Sequence, residues 1–149
     1  TMDEPSRVFD ISPLLASLNL DINLSSTIPD ADGDGLPDSL ENAAGSCTDA
    51  YDADSDDDGI LDGVEDANQD GTVDSDETDP CNADTDNDGI QDGTETGVTL
   101  DNVGPDTDLS VFQPDQNPGS ETSPLLQDSD GDTIPDGVED VNANGMVDG

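Results

Sequence analysis

The chain has 149 residues, of which 40 are acidic and one, Arg7, is basic; it has no histidine, and its formal net charge is −39. Apolar residues make up 29% and only three residues are aromatic, too few for an ordinary hydrophobic core, so the chain stays unfolded unless something supplies positive charge. The charge excludes nucleic acid as a partner, and the missing histidine and lysine remove the usual acid–base catalysts.

Residues 1–29 hold the only cation and five of the twelve leucines. "SPLLASL" reads as a short helix, with Ser12 as cap and Pro13 at the first position. "LNLDINL" alternates: Leu18, Leu20, Ile22 and Leu24 face one way and Asn19, Asp21 and Asn23 the other, the pattern of a strand with one apolar face. A single strand cannot satisfy its own backbone hydrogen bonds. It pairs with the later insert, belongs with a domain beyond this chain, or adds to the sheet edge of a neighbouring subunit. In the last case Asp3 or Glu4 completes an open loop of the next chain, and the head-to-tail contact generates filaments.

From residue 30 the carboxylates follow a rule. A twelve-residue loop supplies calcium with oxygen ligands from positions 1, 3, 5, 7, 9 and 12, the seventh through its backbone carbonyl, with glycine at 6 for the turn. "DADGDGLPDSLE" offers Asp30, Asp32, Asp34, Leu36, Asp38 and Glu41. "DSDDDGILDGVE" offers Asp54, Asp56, Asp58, Ile60, Asp62 and Glu65, and "DANQDGTVDSDE" offers Asp66, Asn68, Asp70, Thr72, Asp74 and Glu77. "DTDNDGIQDGTE" offers Asp84, Asp86, Asp88, Ile90, Asp92 and Glu95. A fifth loop, "DSDGDTIPDGVE", offers Asp128, Asp130, Asp132, Ile134, Asp136 and Glu139, with Thr133 in place of the turn glycine, which predicts strain or an altered site. A sixth, with Asp140, Asn142, Asn144, Met146 and Asp148, breaks off before its position 12.

Composition alone would give on the order of 0.01 matches to the full pattern. Four loops match it, and five of the seven glutamates sit at position 12, where a longer arm reaches the ion with both oxygens. A solvated acidic tract is therefore the weaker reading. Glu65 is followed at once by Asp66, and Glu139 by Asp140, so no EF-hand helix fits between the loops. A longer repeat relates residues 54–74 to residues 128–148, which marks the chain as part of an array or as a subunit completed by another chain.

Chained DxDxDGxxDxxE loops with "TDP" spacers and two cysteines resemble the thrombospondin type 3 repeat in its bacterial surface-protein form, over roughly residues 30–149. The resemblance implies a mostly irregular, calcium-scaffolded array with little regular secondary structure, here with short β-strands and a short N-terminal helix. It implies several calcium ions, roughly 6–10, with Asp52, Asp57 and Asp79 as donors to second ions. On this reading the chain divides into the N-terminal segment (1–29), loops one to four (30–95), an insert (96–127) and loops five and six (128–149). The insert carries prolines that forbid a helix, an apolar Phe112 expected to pack on the repeats, and Asp106, Asp108 and Asp115, which bind a further ion or stay solvated. Cys47 and Cys81 are expected to pair, because such loops suit the calcium outside cells, where disulfides persist; two free thiols are the alternative. The chain starts at Thr1 without an apolar leader and has no run of 18 apolar residues, which reads as a processed product or a fragment rather than a membrane span.

The functions this predicts are non-enzymatic and lie outside the cell or on its surface. One is a calcium-rigidified stalk, or a filament or matrix subunit joined through the N-terminal strand. Another is the spacer of an adhesin, and a third is a calcium store or mineral nucleator.

Overall fold

The computed structural model describes residues 28–140. The N-terminal helix and strand expected within residues 1–27, and the loop-six positions Asn142, Asn144, Met146 and Asp148, lie outside them.

Among the described residues, regular structure is limited to four single helical turns: α1 (Asp38–Glu41), α2 (Asp62–Glu65), α3 (Asp92–Glu95) and α4 (Asp136–Glu139). Each occupies positions 9 to 12 of a loop. The residue before each turn is extended, and none of the turns has a side-chain cap. What starts each turn is loop closure. The position-9 amide donates to the carbonyl just before the loop: Asp38 to Pro29, Asp62 to Ala53, Asp92 to Ala83 and Asp136 to Gln127, at 2.9–3.1 Å. Among the described residues the expected short strands are reduced to one isolated bridge, Asp49 with Asp52. A strand ladder needs two extended runs, and the prolines and turns of the insert interrupt every candidate.

The loops stack, but not in chain order. Gly63 of loop two donates its amide to Asp34 of loop one (3.0 Å), Gly93 of loop four to Asp58 of loop two (2.9 Å), and Gly137 of loop five to Asp88 of loop four (2.8 Å). The series is one, two, four, five. A side chain at these glycines would meet backbone: a Cβ on Gly93 would lie 2.0 Å from the Asp58 carbonyl oxygen, and one on Gly137 2.2 Å from that of Asp88. Loop three has Ser75 at this position and leaves the series. It follows loop two without a spacer and turns back against loop one, where the Gln69 side-chain amide donates to the Gly35 carbonyl (2.7 Å). The Cys47–Cys81 disulfide joins the segments on either side of this excursion.

The insert returns to the stack. Phe112 is buried against Gly59 of loop two, and Gly104 lies against Leu61. Its backbone is held by Gln91, whose side-chain oxygen accepts from Gln113 (2.7 Å), and by Val98, whose carbonyl accepts from Asp115 (2.8 Å). The buried apolar residues are few: Leu36, Ala50, Ala53, Ile90 and Phe112. Buried carboxylates outnumber them, so the interior of this fold is ionic rather than oily.

Candidate metal centres

Each loop folds its own carboxylates inward by hydrogen-bonding them to nearby backbone amides and hydroxyls. The position-1 aspartate accepts from the position-6 amide: Gly59 to Asp54, Gly71 to Asp66, Gly89 to Asp84 and Thr133 to Asp128, at 2.7–3.0 Å. The position-5 aspartate accepts from position 7: Leu36 to Asp34, Ile60 to Asp58, Thr72 to Asp70, Ile90 to Asp88 and Ile134 to Asp132, at 2.7–3.0 Å. The position-3 aspartates Asp32, Asp56, Asp86 and Asp130 accept from position 5. Position 9 accepts from position 2, as Asp62 does from the amide and hydroxyl of Ser55 (2.8 and 2.6 Å) and Asp92 from Thr85. At position 3 these contacts leave the second oxygen of Asp32, Asp56 and Asp86 buried without a partner, whereas Asp34, Asp58, Asp62, Asp88 and Asp92 accept through both oxygens. The carbonyls of Leu36, Ile60, Ile90 and Ile134 accept no hydrogen bond among the described residues.

Two kinds of cluster result. Asp30, Asp32 and Asp34 converge within loop one, and Asp54, Asp56 and Asp58 within loop two, with their oxygens inside 4.8 Å of one another. The second kind spans a junction: Asp34 and Glu41 of loop one meet Asp62 of loop two, and Asp58 and Glu65 of loop two meet Asp92 of loop four. All six residues of the second kind are buried. The position-9 aspartate thus faces the site of the preceding loop in the stack, a relation that spacing within one loop does not reveal.

Among the described residues no cation offsets this charge. Burial, then neighbouring carboxylates, push Glu65 up to about 10, Glu95 to about 9 and Glu41 to about 8. Asp58 is raised to about 8 by burial, and Asp56 to about 7 by burial and then Asp54. Buried carboxylate oxygens without any partner include both of Glu41, both of Glu65, and one each of Asp32, Asp54, Asp56, Asp86 and Glu95. Unpaired buried charge is costly, and these are hard oxygen donors at positions 1, 3 and 12. The residues present therefore fit a hard divalent cation.

Loop three differs. Glu77 hydrogen-bonds the amides of Asn68 (3.1 Å) and Asp74 (3.2 Å), and Asn68 donates to Asp74 (3.0 Å). Its ligand set is present but closed on itself, without a helical turn. In loop five Asp132 and Ile134 are exposed, whereas Leu36 and Ile90 beneath their stacked neighbours are buried. Thr133 takes φ +84°, the left-handed conformation of the glycines it replaces, so the turn is kept at the cost of strain.

Of the residues expected to serve further ions, Asp52 has one buried oxygen without a partner, and Asp57, Asp106 and Asp49 act on it electrostatically. Asp79 lies with the disulfide, its carboxylate accepting from the Cys81 amide (3.2 Å). Asp108 is exposed and accepts from Ser110 (2.9 Å). No helix of the described residues is long and apolar enough to cross a membrane. No family model, curated protein or solved structure matches this chain.

Proposed function

We propose that this chain is an extracellular calcium-binding structural protein, a stalk or spacer of the thrombospondin type 3 kind whose rigidity comes from bound ions. The observation that carries the reading is the junction cluster. Glu65, Asp58 and Asp92 are buried together from two loops 30 residues apart in phase, and they have no positive side chain among them. An ion there joins two repeats as well as filling one loop. Calcium suits the site better than magnesium, because it takes six to eight oxygens in flexible geometry, carbonyls included. Zinc is disfavoured by the absence of histidine and by the pairing of both cysteines.

The disulfide supports an oxidising compartment. A non-catalytic role fits clusters whose every residue is accounted for by a ligand position. Binding then couples to folding, as in other small metal-dependent domains. The experiment is light scattering on a sizing column, in 2 mM calcium and in chelator. A compact monomer that swells in chelator is the expected result. Large species that dissociate in chelator would replace the stalk with a self-assembling subunit, and no change in size or mass would overturn the calcium reading.

A further inference from the structure

The partnerless buried carboxylate oxygens fall almost entirely at ligand positions of the twelve-residue loops. Two do not: Oδ1 of Asp52, beside loop two, and Oδ2 of Asp115, in the insert. Asp115 is 4% exposed. Its backbone is fixed by the hydrogen bond from its amide to the Val98 carbonyl (2.8 Å). Its Oδ1 accepts from the Asn117 amide (2.6 Å), which leaves Oδ2 turned the other way.

Oδ2 and the carboxylate of Glu121 border the same small space. The position that a Cβ on Gly97 would take is bordered by Glu121 Oε1 at 3.5 Å, Pro118 Cβ at 3.7 Å and Asp115 Oδ2 at 3.8 Å. Gly97 takes φ +81°, which glycine alone accepts readily, and its missing side chain is what keeps this space clear. Two acidic oxygens face one small gap, one of them buried with no donor. No arginine or lysine exists in the described residues to answer them.

We infer that Asp115 and Glu121 hold an additional divalent cation, outside the loop frame, at the point where the insert closes back onto loop four. The inference rests on the calcium reading of the loops, because it takes a buried orphan carboxylate oxygen as the mark of an ion. Glu121 is exposed, so water completes the coordination and the site is weaker than those in the stack. Its effect is to pin the base of the insert, since Asp115 is bonded to Val98 while Glu121 lies six residues further along.

The test is native mass spectrometry of the full chain titrated with calcium, for wild type, Asp115→Asn, Glu121→Gln and the double variant. Asparagine at 115 keeps the acceptor for the Asn117 amide and removes only the charge. Each single variant is expected to lose the same single, weakest ion, by tenfold or more in affinity, and the double variant is expected to lose no more than that one. If both single variants bind as many ions as wild type with unchanged affinities, the inference is overturned. It is equally overturned if the two losses add as separate ions. Should Asp115→Asn disturb folding, the exposed Glu121→Gln still reads the site. Failure of wild type to bind calcium at all would instead sink the proposed function.

Discussion

Glu65 is 2% exposed, and its carboxylate meets those of Asp58 and Asp92 rather than a cation. In the metal-free chain it answers by holding a proton. Its pKa rises from the ordinary 4.5 to about 10, through burial first and then Asp58. The folded chain therefore binds more protons than the unfolded one across that window, and stability falls as pH rises through it. In chelator, the chain is expected to run more compact on a sizing column at pH 5 than at pH 8. With calcium displacing those protons, affinity should instead increase with pH over the same range. A chelated chain that grows more compact toward pH 8 would contradict the buried placement of these glutamates.

An element here is one loop, and what distinguishes one loop from another is the residue after its position-9 aspartate. Glycine stands there in loops two, four and five, and the three are stacked. Serine stands there in loops one and three: Ser39 belongs to the first loop of the series and Ser75 to the loop that leaves it. The reason is steric, since a Cβ at Gly93 would sit 2.0 Å from a backbone oxygen that cannot yield. Gly93→Ala should separate loop four from loop two at a cost of at least about 2 kcal/mol, the scale of overpacking against fixed neighbours. Gly119→Ala, with nothing within 4 Å and no left-handed φ, is the control and should be near neutral. Limited proteolysis in calcium reads the difference: new cleavage between the two loops in the first variant only. Equal resistance in both would mean that the glycine contact does not hold the junction.

At the scale of the whole molecule, the apolar core is too small to organise the chain, and two other devices take over. On the proposed reading ions are one, and six of them would still leave a charge of about −27. The disulfide is the other. Cys47 and Cys81, 34 residues apart, bracket loops two and three, so the bond limits how far the unfolded chain can expand. Cys81→Ser should lower the unfolding free energy in calcium by roughly 3–4 kcal/mol on the chain-entropy account. Chemical denaturation checks this, and an unchanged midpoint would mean that the ions alone set the geometry.

The clustering of carboxylates within loops one, two, four and five was legible in the sequence, because each cluster depends on contacts within twelve residues. An aspartate and the amide two residues later find each other wherever the chain turns as the glycine directs. The pairing of the cysteines was likewise expected from chemistry and is present. What spacing did not disclose is that loop three folds aside, that Asp62 and Asp92 face the preceding loop in the stack, that Phe112, expected on the repeats, lies against Gly59 of loop two in particular, and that Asp115 is tied to Val98. Those are contacts between residues 17 to 53 positions apart, and only the folded chain decides them. The Asp-Gly pairs carried the stacking signal all along, but their meaning depends on what lies across the junction, and that partner is supplied by tertiary structure alone.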